Sequence, residues 1–185
     1  GTFETLSAIA MKKFNDDLTG KIYLTAGAGG MGANQTWAMK MHGGVCIVVD
    51  VNEKILKKRI EKDYLDLIAP SLEEAIKLAK ENAAAKKPIS IGVVGNAADM
   101  YEKVLASDFR PDICSEMCPC HDPISYLPSG YTAEEADELR INDRDKYLHL
   151  ARETMKRQLA AMVALKANGV EVFEYGTSIR KECMD

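Results

Sequence analysis

The order of apolar runs along this chain predicts an α/β fold, a parallel sheet with helices on both faces. Three observations predict it. Runs rich in Val and Ile alternate with helix-length amphipathic segments, the pattern of successive βαβ units. A complete G-x-G-x-x-G, at Gly27, Gly29 and Gly32, separates the first run from a helix. The second run ends on Asp50, close to the spacing of about 20 residues at which such a turn expects an acidic partner. Together they specify a Rossmann-like doubly wound sheet, with residues 1–185 as a single dinucleotide-binding domain.

Taken in order, residues 2–16 place Phe3, Leu6, Ile9, Ala10 and Phe14 on one side of an amphipathic helix. Asp16, Asp17 and Gly20 break it before a strand over residues 21–26. A helix over residues 33–42 leads to a strand over residues 45–49 that closes on Asp50. Residues 53–66, rich in Lys and Glu, read as a solvated helix with Ile55, Leu56, Ile60 and Tyr64 inward. Ser71 followed by Glu73 and Glu74 opens a capped helix running to about residue 85. Residues 89–94 form a buried parallel-type strand, followed by a turn at Gly95, Asn96 and Ala97 and a helix to about residue 107.

Residues 110–114 lead into a fourth, short strand. With prolines at 119, 123 and 128 and a glycine at 130, residues 115–131 form a long ordered loop. Thr132 caps a short helix, and residues 143–167 make a long amphipathic one ended by Asn168 and Gly169. A last strand spans residues 170–175, with a polar tail after Gly176.

Composition excludes several classes. A net charge of −4 with no basic run does not suggest nucleic acid. No apolar stretch approaches the roughly 18 residues of a membrane span, and no secretory leader is visible. Five cysteines at irregular spacing do not make a disulfide framework, so a reducing cytosol is expected.

The glycine turn carries the chemistry. Gly27 permits the tight turn, Gly29 lets backbone approach a pyrophosphate, and Gly32 lets helix and strand meet closely. The helix N-terminus then offers N–H groups to phosphate. Asp50 suits an adenosine ribose 2′-OH and would repel a 2′-phosphate, which favours NAD over NADP. Ligands of such sheets bind beyond the carboxyl ends of the strands. The other candidates are therefore Asn96, Ala97, the loop over residues 115–127 and Tyr175.

The residues then resemble a specific family. The stretch from Leu24 to Gly32 looks like the glycine motif of urocanase (urocanate hydratase). So do Gly95-Asn96-Ala97-Ala98, Arg110-Pro111-Asp112, His121-Asp122-Pro123 and Phe173-Glu174-Tyr175-Gly176, and the lead-in Gly1-Thr2-Phe3-Glu4-Thr5. The resemblance runs through the whole chain in the right order. It implies that this is the NAD domain of a much longer cytoplasmic, homodimeric enzyme that hydrates urocanate to imidazolone propionate in histidine breakdown. There NAD⁺ acts as an electrophile without net hydride transfer. The family's catalytic cysteine lies C-terminal to this stretch, so no catalytic residue is expected here, and the chain alone is expected to be inactive. Carried over by position, pyrophosphate contacts fall on Gly30, Met31 and Gly32, and the ribose carboxylate on Asp50. Asn96 and Ala97 line the groove, while Tyr126, Leu127 and Tyr175 approach the nicotinamide half. Where relatives read Gln-Thr-Ser-x-His, this chain has Met117, Cys118, Pro119, Cys120 and His121. A family arginine aligns with Ile55, leaving Lys54, Lys57 or Arg59 to replace it.

Competing readings remain. Cys114, Cys118, Cys120 and His121 could in principle hold zinc, but they crowd into one short stretch, whereas structural zinc usually draws pairs from separate turns. A loop folding over NAD fits better, and no metal is expected. Cys120 beside His121 could form a nucleophile pair, though sequence neighbours in an extended loop point apart. His42, His149 and Trp37 read as structural or exposed, and the methionines as filler. Two other functions stay open. An NAD-dependent dehydrogenase domain would use His121 for proton transfer. A non-catalytic NAD-binding or oligomerisation module would expose an apolar stripe on the long helix.

Overall fold

The computed structural model describes residues 1–184. Six strands form one all-parallel sheet: β1 (Ile22–Ala26), β2 (Val45–Asp50), β3 (Leu67–Ala69), β4 (Ile89–Val94), β5 (Ile113–Cys114) and β6 (Glu171–Val172). Their spatial order is β3-β4-β2-β1-β5-β6, so β1 and its glycine turn stand near the middle. Among the described residues eight α-helices connect and flank them: α1 (Thr2–Lys13), α2 (Ala33–Met41), α3 (Glu53–Glu61), α4 (Leu72–Ala84), α5 (Ala97–Ala106), α6 (Ala133–Asn142), α7 (Arg144–Ala167) and α8 (Ile179–Glu182). The Rossmann-like doubly wound architecture is the one the sequence predicts.

The period-two alternation of each strand sorts its side chains between two cores. Tyr23 and Cys46 face α1 and α2 with Leu6, Ala10 and Met39. Leu24, Ile47 and Ile91 face α4, α5 and α7 on the other side. Both faces being covered, the central strands are mostly apolar and buried on both sides, with Thr25 and Ser90 as buried polar exceptions. On the first face α3 lies close to β4. A Cβ at Gly92 would lie 3.4 Å from Leu56 Cδ2 of α3 and 2.8 Å from Leu65 Cδ2 in the turn after it. α7 lays Tyr147, Ala151, Met155, Met162 and Leu165 inward at helical spacing, consuming its apolar stripe against α5 and the sheet.

Several expectations shift. α3 ends at Glu61, not residue 66, because Asp63 takes a left-handed φ of 60° and turns the chain back. The chain then pairs Leu67–Ala69 as β3 against β4, an edge strand too short to show a period and bounded by Pro70. The short strand at 113 is therefore the fifth. β6 pairs over two residues only, with one further bond from the Phe173 N–H to the Cys114 carbonyl at 3.2 Å. The polar tail holds α8, whose Ile179 is fully buried. α1 stops at Lys13, since Asn15 and Asp16 both take positive φ. Trp37 stays about half exposed, with its ring 6.5 Å from that of Phe3.

Candidate functional site

A cleft of about 540 Å³ opens along the C-terminal edge of the sheet. Its floor is the turn after β1. Gly27 has φ +86°, and a Cβ there would lie 2.3 Å from the Met117 carbonyl, so only glycine lets the 115–131 loop come this near. A Cβ at Gly32 would lie 2.0 Å from the Gly27 carbonyl. Gly29 and Gly30, by contrast, face open space with nothing within 4 Å. The N–H groups of Gly29, Gly30, Met31 and Gly32 have no protein acceptor among the described residues. An open cradle of unpaired donors at the start of α2 fits a pyrophosphate.

Beneath the turn lies a support that sequence reasoning missed. Gln35, fully buried, donates through Nε2 to the carbonyls of Gly27 and Gly32 at 3.1 and 3.2 Å. Its Oε1 accepts from Tyr23 at 3.0 Å and Ser115 at 3.3 Å, which ties the turn to β1 and β5. No periodicity marks such a residue, because a glutamine on the inner face of a helix looks like any other polar one.

On the β2 side, Asp50 lines the cleft half-buried. Its carboxylate accepts the N–H groups of Ala28 and Asn52, each at 2.8 Å. Burial raises its pKa above the usual carboxylate value, against the pull of those N–H groups and of Arg59. Val51 and Ile55 give this end an apolar wall. Arg59 does not line the cleft, and its Nε donates to the Ala28 carbonyl at 2.7 Å. Asn96 and Ala97 line the middle. Asn96 caps α5 through Ala98 N–H at 3.0 Å and donates to the Leu127 carbonyl at 2.9 Å, tethering the long loop.

On the β5 side the 115–131 loop supplies Met117, Cys118, Pro119, His121, Tyr126 and Leu127. Tyr175, Gly176 and Thr177 complete the wall beyond β6. Cys120 is the departure. Its side chain is fully buried and turned to Glu116 at 3.9 Å, off the cleft. Cys120 and exposed His121 therefore make no nucleophile pair, and burial pushes the Cys118 and Cys120 thiols up. All five cysteines are free, and no group of His, Cys, Asp or Glu among the described residues is placed to hold a metal. Glu116 was also missed, although an acidic residue just past a buried strand repeats the signal of Asp50. No helix among the described residues is long and apolar enough to cross a membrane.

A family model described as "Urocanase Rossmann-like domain" matches residues 1–185, the whole chain. Among solved structures, the chain is similar to a quinate dehydrogenase from Corynebacterium glutamicum in complex with NAD. The identity is 13% and the TM-score 0.35, over 99% of this chain and 61% of that one. At that distance the likeness bears on neither ligand nor activity.

Proposed function

The chain belongs to the urocanase family through its Rossmann-like domain, and on that premise we propose that it binds NAD as the cofactor domain of a urocanate hydratase. In this reading residues 1–185 are one domain of a longer, homodimeric cytosolic enzyme, and the chain alone does not turn over urocanate. The observation that carries the cofactor assignment is the cleft, where an open cradle of N–H donors sits one strand away from a carboxylate. The pyrophosphate lies on Gly29, Gly30, Met31 and Gly32, and the adenosine ribose on Asp50. The nicotinamide half runs toward Tyr126, Leu127 and Tyr175. Bound NAD⁺ supplies an electrophilic ring for urocanate. This chain's residues hold it, orient it and keep water from its inner face. Asp50 disfavours NADP by charge, since no cation lines that end to meet a 2′-phosphate.

Calorimetric titration with NAD⁺ and NADP⁺, in the wild type and Asp50→Asn, tests the reading. Binding of NAD⁺ with weak NADP⁺ binding is expected, and a preference loosened roughly ten-fold in the variant, about one pKa-unit equivalent of interaction. No heat with NAD⁺ would sink it. The dehydrogenase alternative would appear instead as hydride transfer lost in His121→Ala. The oligomerisation alternative loses its main support, because α7 spends its apolar stripe inside the molecule.

A further inference from the structure

Glu116 is a buried carboxylate with no cation beside it. The side chain is fully buried, just past the end of β5. One oxygen accepts the Cys118 N–H at 2.7 Å and the Cys120 thiol at 3.9 Å, and the other accepts the Thr177 hydroxyl. Three donors converge on one acid and favour its ionised form, against the burial that raises its pKa. No ion pair involves Glu116 among the described residues. Glu174 acts on it with like sign, and is itself paired with Arg180 at 2.6 Å. Buried charges are ordinarily paired, because hydrogen bonds alone replace only part of the lost hydration. This one lacks its partner.

Its position says what the partner is. Cys118 and Thr177 both line the cleft, so the carboxylate stands directly behind the wall on the β5–β6 side. A dinucleotide with its pyrophosphate on the turn after β1 and its ribose on Asp50 sends its other half to this side. Oxidised nicotinamide is a pyridinium cation, and the reduced ring is neutral.

We propose that Glu116 selects the redox state of the cofactor: its buried negative charge favours the cationic oxidised nicotinamide, while its hydrogen bonds lock the 116–118 turn to Thr177. The inference rests on the NAD reading above and adds to it a residue that touches neither substrate nor cofactor. The fold leaves an anion uncompensated, the oxidised ligand compensates it, and reduction removes the compensation. The neighbouring thiols do not compete for this role, since burial keeps Cys118 and Cys120 protonated. A site biased in this way holds NAD⁺ against exchange for NADH, which suits a cofactor that must stay oxidised.

Calorimetry with NAD⁺ and NADH on the full chain provides the test. The wild type is expected to bind NAD⁺ roughly ten-fold or more tightly than NADH, the order of a charge pair across one layer of protein. E116Q, with unchanged circular dichroism, brings the ratio near one, and E116D restores it. A wild type that binds both forms alike overturns the proposal, as does a folded E116Q that keeps the ratio. If E116Q does not fold, the double variant E116M/T177V removes the charge together with a partner and is judged by the same criterion. Absence of NAD⁺ binding by the wild type is a separate result, and it overturns the cofactor reading and this inference with it.

Discussion

Asp50 closes β2 and Glu116 follows β5, the two strands that flank β1, and each accepts the backbone N–H two residues further on. Each also ties in a second loop, Asp50 through Ala28 N–H and Glu116 through the Thr177 hydroxyl. Burial raises the pKa of both. They differ in exposure. Asp50 keeps part of its carboxylate in the cleft, where a ribose hydroxyl can reach it. Glu116 is sealed behind Cys118 and Thr177 and can act only through charge and through the loops it holds. The same local device therefore recognises ligand directly on one side of the glycine turn and conditions the site from behind on the other.

The hardest blow falls on the turn between the two acids, in Gly32→Ala. Its Cβ would meet backbone at 2.0 Å, which nothing flexible can relieve. A loss of about 3 kcal/mol or more in urea unfolding is expected, the upper range for overpacking. Wild-type stability in that variant would mean that α2 and the turn are not packed as described. For the 115–131 loop that carries Glu116, Asn96→Ala removes both a helix cap and the tether to Leu127, and about 2 kcal/mol should go with them. Hydrogen exchange in residues 115–131 should rise in parallel. Unchanged exchange there would show that the loop holds itself.

Titration sharpens the comparison of the two acids. Their folded pKa values lie above the unfolded ones, so the native state binds these protons more tightly. Each contribution to stability therefore falls as pH rises from the ordinary carboxylate value through the raised one, and stays level above it. The unfolding free energy of the wild type minus that of Glu116→Gln should then rise as the solution is acidified through that window. The slope cannot exceed about 1.4 kcal/mol per pH unit for one proton. A flat difference would show that Glu116 is not perturbed. The smallest effect serves as a control away from both acids. Ser71→Ala, which removes the 3.1 Å cap on Glu74 N–H, should cost about 1 kcal/mol and leave NAD⁺ affinity untouched.

Much of this was legible in the chain itself. The glycine turn, Asp50, the capped helices at Ser71 and Thr132, and the long helix after Asp143 all announce themselves through local spacing and residue type. Cooperation between neighbours in sequence generates those features, so a linear reading finds them. β3 escaped because three residues show no period. Cys120 was expected in the cleft, but only the packed loop decides which face of an extended stretch turns inward. Gln35 and Glu116 were missed for the deeper reason. Beside its local contacts each holds a partner that only folding brings near, Glu116 the Thr177 hydroxyl 61 residues away and Gln35 the Ser115 hydroxyl 80 away. The sequence by itself determined the α/β class, the turn and the acid at the end of β2, since each rests on short-range backbone chemistry. Tertiary structure alone decided where the second acid sits and what it can do, because burial and the absence of a neighbouring cation exist only once distant strands have been brought together.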